Sequence, residues 1–324
     1  MLTGLPRVVF LGTPEFAVPS LEALVRLRDQ RKIELAAVVT QPDRPGHRGR
    51  ITAPPAKEAA IAHGVRVIQP APLLGDGPRW RTTDMWNEVA RLHPDALVVA
   101  AYGGLVPRRV IDAVHGRAIN VHPSLLPRWR GADPVAHAIL AGDETIGVTL
   151  MEMTQELDAG SVIEQVGGTY HPGSLTTGEL ESRLARDGAQ LLEDTIVRYL
   201  QGNVRTHPQT AKWVTWAAKL DPKKGELDFE RPAEELVRLV RAYTPDPGAY
   251  TSFRGQRIVV TRASVAAGSP AEHGTLKVER GGPHVAAGAG WLRLDEVKPA
   301  GKRGMSGADW ARGLRDLEGA RLPS

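Results

Sequence analysis

Residues 118–131 read AINVHPSLLPRWRG. The first five residues, Ala118–His122, are short, apolar and partly β-branched, the pattern of a strand buried on both faces. A proline-rich loop with two arginines and a tryptophan follows at once. In open sheets covered by helices, ligands bind beyond the carboxyl ends of the strands. This loop leaves from such an end.

The flanking sequence repeats the pattern. Arg7–Leu11 (RVVFL), Ile33–Thr40, Ala96–Ala101, Thr145–Met153 and Ser161–Val166 all read as strands. Phe16–Leu27 carries apolar residues at helical spacing, with Pro19 near its start, and Thr176–Leu200 reads as a long helix. Buried strands separated by helices imply an α/β domain with a mostly parallel, doubly wound sheet. Residues 201–228 lack sustained periodicity and hold Lys212, Lys219, Lys223 and Lys224, so they read as a basic interdomain connection. After a helix at Ala233–Ala242 come short β-rich runs at Ala249–Phe253, Arg257–Ser264, Gly274–Val278, Val285–Ala287 and Trp291–Val297, separated by glycines. That is the pattern of a small OB-like β-barrel. MSGADWARG reads as a short final helix. The domains expected are thus 1–200, a connection at 201–228, and 229–324.

The 324 residues include no cysteine, which excludes disulfides, Cys-ligated zinc and thiol catalysis. The N-terminus is interrupted by Gly12, Thr13 and Pro14 and is not a signal peptide. No apolar run is long enough to span a bilayer. A cytoplasmic monomer is expected, with no membrane partner. Residues 206–324 hold 19 Lys and Arg against 14 Asp and Glu, while residues 1–205 hold 22 against 23. A basic second half suits a polyanionic partner. A few extra surface charges would read the same way.

Asn120 and His122 lie two apart on a strand and project to the same side. The Asn amide can donate to an oxygen that gains negative charge, and the imidazole can take up or give a proton near neutral pH. The pair suits acyl transfer through a tetrahedral intermediate. The plainer alternative is a buried His satisfied by a backbone carbonyl. Asp158, in Gln155-Glu-Leu-Asp-Ala-Gly160, is the carboxylate best placed to orient the ring, because Gly160 allows a sharp turn; Glu152 and Glu156 are the alternatives. The second strand runs into TQPDRPGHRGR, where Arg44, Arg48 and Arg50 sit among Pro and Gly. Such a loop can grip phosphates, or it can be solvated surface. Trp129 could pack the loop or stack on a base. FLGTPEF has one glycine where a dinucleotide fingerprint needs three, which argues against nicotinamide or flavin binding. No His/Asp/Glu spacing suggests a metal.

INVHPSLLPRWRGADPV resembles the signature of folate-dependent formyltransferases, and Leu157-Asp-Ala-Gly160 resembles their Asp-containing loop. RVVFLGTPEFAVPSLEAL, TQPDRPGHRGR, VVAAYGGLVP, AGDETIGVTLMEM, TWAAKL and PAGKRGMSGADWARG are similar, in order, to the bacterial branch that acts on methionyl-tRNA. The resemblance implies a Rossmann-like catalytic domain, an OB-like domain, 10-formyltetrahydrofolate as donor and initiator methionyl-tRNA as acceptor. It implies a catalytic trio of Asn120, His122 and Asp158. It also implies a folate-contacting loop of Ser124, Leu125, Leu126 and Pro127, and tRNA contact through the Arg44 loop. Pro123, Asp133 and Ala159 depart from the usual residues without removing a catalytic group. GELDFERP departs more, which weakens any assignment of tRNA contacts there. The rival readings are an amino-sugar formyltransferase, an RNA-binding protein without catalysis, and a hydrolase that releases formate.

Overall fold

The computed structural model describes residues 4–45, 51–72, 80–169, 175–279, 281–315 and 319–324. The chain packs as two compact units. One holds Met1–Gly131, Ile146–Gly168 and Glu181–Trp216; the other holds Ala132–Thr145, Thr169–Leu180 and Ala217–Ser324. Among the described residues, the helices are α1 (Val18–Asp29), α2 (Pro55–Ala62), α3 (Thr83–Arg91), α4 (Arg108–Ala113), α5 (Pro134–Ala141), α6 (Thr177–Leu200), α7 (Ala233–Tyr243) and α8 (Gly307–Arg312).

The first unit is built on a seven-stranded sheet. Its strands are β1 (Arg7–Gly12), β2 (Glu34–Val39), β3 (Val67–Ile68), β4 (Ala96–Ala100), β5 (Ala118–His122), β6 (Thr145–Glu152) and β7 (Val162–Thr169). The order is β7-β6-β5-β4-β1-β2-β3. Strands β1 to β5 pair in parallel. β6 runs antiparallel to β5 and sets Thr149 opposite His122 and Met151 opposite Asn120. This is the mostly parallel Rossmann-like sheet expected, with an antiparallel edge.

Both faces are covered, which explains the apolar runs of β1 and β4: Val8 to Leu11 and Ala96 to Val98 are fully buried. On one face Val9, Leu11, Val39, Leu97 and Val99 pack in a core with Met85, Trp86 and Val89 of α3. Trp86 meets Tyr102 edge to face at 6.1 Å. On the other face Gly188 of α6 lies so close to the sheet that a Cβ there would sit 2.8 Å from a Val121 methyl.

The long elements match the sequence reading within a few residues. The helices α2 to α5 and the strand β3 were not foreseen. Each of those helices has only six to nine residues, too short for a periodic apolar face to register.

In the second unit, β8 (Ala249–Phe253), β9 (Gln256–Ala266), β10 (Leu276–Glu279), β11 (Gly282–Ala286) and β12 (Trp291–Pro299) form an antiparallel sheet in the order β8-β9-β12-β11-β10. This is the small β domain expected after the connection. Arg254 and Gly255 turn β8 into β9 with φ of +51° and +71°. Two positive φ values in a two-residue loop match the right-handed twist of a hairpin. α7 buries Leu236, Leu239, Val240 and Tyr243 along one face. α6 begins at a capping box: Thr176 N donates to Glu179 Oε2 at 2.9 Å, and Glu179 N donates to Thr176 Oγ1 at 3.4 Å. That backbone N–H, aided by Arg262, holds the Glu179 carboxyl below its usual range.

No helix among the described residues is long and apolar enough to cross a membrane.

Candidate active site

The end of β5 carries the expected pair. His122 is buried at 4% exposure, while Asn120 is half-buried. The Asn120 amide makes no hydrogen bond among the described residues. A strand-end amide with free donors is suited to a substrate oxygen.

The His122 ring is held from two sides. Its Nε2 lies 2.9 Å from the backbone O of Trp129. A carbonyl only accepts, so Nε2 carries hydrogen and the neutral ring presents a lone pair at Nδ1. Asp158 Oδ2 lies 3.7 Å from that Nδ1. The structure therefore brings Asn120, His122 and Asp158 together. It also places a backbone carbonyl on the ring, the arrangement of the plainer alternative, but on the nitrogen away from Asp158.

Asp158 is positioned by its own turn. Its φ is +51°, a conformation Asp tolerates better than most residues. Oδ2 accepts from Gly131 N at 2.9 Å, and Gln209 Nε2 donates to the carbonyls of Asp158 and Gly160 at 2.7 and 2.8 Å. Only glycine fits at 160, where a Cβ would fall 1.8 Å from Glu152 O. Of the alternative carboxylates, Glu152 accepts from Tyr199 Oη, and the exposed Glu156 reaches toward Arg130.

The loop after His122 is a braced wall. Ser124 Oγ donates to Arg128 O at 2.7 Å. Thr149 Oγ1 donates to Ser124 O at 2.6 Å and accepts from Leu126 N at 3.1 Å. Gln165 Nε2 donates to Leu126 O and to Thr149 Oγ1. Leu125 lies against two glycines of the neighbouring strands: a Cβ at Gly147 or Gly167 would come within 2.7 or 3.0 Å of its methyls. Ser124 and Leu126 are buried at 2% and 5% exposure, so their side chains serve the wall from within. Leu125 and Pro127 are half-buried and keep a surface for a ligand.

Arg128-Trp129-Arg130 acquires definite contacts. The Arg128 guanidinium stacks 4.4 Å from the Trp129 ring centroid. Trp129 has φ +63° and donates its N–H to Thr215 Oγ1 at 2.8 Å. Arg130 is buried, with Nε and one terminal nitrogen on Gln209 Oε1. The supports Thr149, Gln165, Gln209 and Thr215 were missed by sequence reasoning. Thr149 left one signal, a hydroxyl in the middle of an apolar run, TIGVTLMEM.

Arg44 is exposed on a short arm, Arg44–Pro45 paired with Ile51–Thr52. Arg48 and Arg50 lie outside the described residues. The arm is rooted by Asp43, whose carboxylate takes Lys57 Nζ at 2.8 Å and Gln69 Nε2 at 2.9 Å. The Lys57 ammonium, then Gln69, hold the Asp43 carboxyl below its usual range. Among the described residues no group of His, Asp and Glu could hold a metal.

The fold and this site define a class. Residues 6–196 match the formyl transferase profile, and residues 219–315 match the formyl transferase C-terminal domain. The chain belongs to the formyl transferase family. The solved structures that resemble it include an N-formyltransferase from Helicobacter canadensis, at a TM-score of 0.65 and 15% identity, covering 92% of this chain and 100% of that one. HypX from Aquifex aeolicus, in complex with tetrahydrofolic acid, aligns at a TM-score of 0.60 and 17% identity, covering 94% of this chain and 46% of that one. These likenesses concern the fold.

The sequence relatives are more particular. The methionyl-tRNA formyltransferase of Halorhodospira halophila is 43% identical over 316 residues, 97% of this chain and 98% of that protein. That of Myxococcus xanthus is 41% identical over 317 residues, 98% of this chain and 97% of that protein.

Proposed function

We propose that this enzyme transfers the formyl group of 10-formyltetrahydrofolate to the α-amino group of initiator methionyl-tRNA. The observation that carries the chemistry is an Asn120 amide without a hydrogen bond among the described residues, on the same strand as a His122 whose Nε2 is anchored on Trp129 O and whose Nδ1 lies 3.7 Å from Asp158 Oδ2. The full-length likeness to methionyl-tRNA formyltransferases supports the choice of acceptor.

The amine nitrogen attacks the formyl carbon, forming a C–N bond and moving the carbonyl electron pair onto oxygen. Asn120 Nδ2 donates to that oxyanion. His122 Nδ1 accepts the proton that the attacking nitrogen sheds. The resulting imidazolium lies beside Asp158, which offsets its charge, while Nε2–H stays anchored on Trp129 O. Collapse re-forms the carbonyl and breaks the bond to N10, which takes the proton from His122. The proton count closes with no outside reagent. Leu125 and Pro127 offer the pterin an apolar surface on a wall that is already rigid, so little ordering cost falls on binding. The Arg44 arm and the basic stretch of residues 206–324 hold the tRNA backbone.

One incubation tests this reading. Formyl-labelled 10-formyltetrahydrofolate is supplied with charged initiator tRNA, with elongator methionyl-tRNA, with an amino-sugar nucleotide, or with no acceptor. Label is expected on the methionyl ester of initiator tRNA. Label on the sugar, or as free formate in every tube, would sink the proposal.

A further inference from the structure

Two tryptophans stand in the open on a segment hydrogen-bonded to the loop after His122. Trp213 is 62% exposed and Trp216 is 55% exposed. By contrast, Trp86, Trp291 and Trp310 are all buried below 9%. An exposed indole forgoes the largest apolar burial any side chain offers, so two within four residues call for an occupant. The segment is not a loose end. Thr215, between them, accepts Trp129 N–H on its hydroxyl at 2.8 Å and Arg130 N–H on its carbonyl at 2.9 Å. Trp129 in turn holds His122 through its carbonyl. The backbone that presents the two indoles is thus fastened to the loop that positions the catalytic ring.

The charge beside these rings selects the occupant. Lys212 Nζ lies 5.1 Å from the Trp213 ring centroid. Flat aromatic faces interleaved with cations suit single-stranded nucleic acid, whose bases stack while its phosphates meet the cations. A protein partner would not need the cation, and a membrane would not bring a chain end to Asn120. An aminoacyl ester hangs from the single-stranded 3′ end of its RNA, so the last nucleotides must cross the surface next to the reacting amine.

We infer that Trp213 and Trp216, with Lys212, form a stacking platform for the single-stranded 3′-terminal nucleotides of the aminoacyl-RNA acceptor. This rests on the functional reading above and assigns it an RNA-end subsite.

The test uses the full chain and its Trp213→Ala, Trp216→Ala, Trp213→Phe and Trp216→Phe variants. Wild type is first shown to formylate methionyl-tRNA; if it does not, the functional reading itself falls. Each Ala variant is then expected to raise KM for methionyl-tRNA about tenfold, with kcat at saturating tRNA within about twofold and KM for 10-formyltetrahydrofolate unchanged. The Phe variants keep a ring face and are expected to stay near wild type. The trinucleotide CCA, added to the wild type, is expected to quench tryptophan fluorescence, and the Trp213→Ala/Trp216→Ala double variant is expected to lose that quench. Ala variants with wild-type KM for tRNA would overturn the platform while leaving the formylation reading intact. Equal damage in Ala and Phe variants would also overturn it, because ring stacking would not then be the property that matters.

Discussion

Among the described residues, Asn120 is held by its backbone, which pairs with β4 and β6, and its amide makes no hydrogen bond. Removing that amide costs the fold little and the reaction much. Asn120→Ala is expected to lower kcat about 10²–10³-fold, the usual loss for one oxyanion donor, with a melting temperature close to wild type. Single-turnover kinetics and a thermal melt check both halves, and turnover within a few fold of wild type would remove Asn120 from the reacting centre. At this scale the sequence was informative for a simple reason. A two-residue spacing on a strand fixes a shared side, so Asn120 and His122 could be paired on paper. Asp158 was legible because Gly160 marks the turn that presents it. The carbonyl of Trp129 on His122 was foreseen only as a generic possibility, since a loop's carbonyl direction depends on a φ of +63° that residue type does not announce.

The elements matter through the wall they make. β6 and β7 place Gly147 and Gly167 under Leu125, and Thr149 and Gln165 clasp the loop backbone. Gly147→Ala would set a Cβ 2.2 Å from Val166 O and 2.7 Å from Leu125. That overpacking is expected to destabilise the protein by ~1–3 kcal/mol and to raise KM for the folate as Leu125 is displaced. Chemical denaturation and folate kinetics report the two effects, and an unchanged midpoint would contradict the close packing. The long elements were readable because burial on both faces leaves an apolar run, and α6 announces itself with Thr176 and Glu179. The short helices α2 to α5 were not readable. Their stability comes from the surfaces they pack against rather than from their own periodicity.

For the whole molecule, charge governs the encounter with RNA. The net charge of +4 arises in residues 206–324, where basic residues outnumber acidic ones 19 to 14. Phosphate contacts release counterions, so KM for methionyl-tRNA is expected to rise steeply on a log–log plot against salt while KM for the folate moves much less. Arg44→Ala is expected to flatten that slope by about one contact. A slope identical to wild type would show that Arg44 meets no phosphate.

By itself, the sequence determined the α/β class, the strand that ends in the candidate site, the shared side of Asn120 and His122, and the small β domain that follows. Each of these is a local pattern: a buried run, a spacing of two, a glycine at a turn. Only the tertiary structure decided which nitrogen of His122 is anchored, which side chains of Ser124 to Pro127 remain on the surface, and that Thr149, Gln165, Gln209 and Thr215 brace the loop. The bracing contacts join residues from 16 to 86 positions apart, and the anchor on His122 depends on how the loop folds back seven residues on. Hydrogen-bond partners at such separations are chosen by how strands and loops pack, and no local pattern in the chain records that choice.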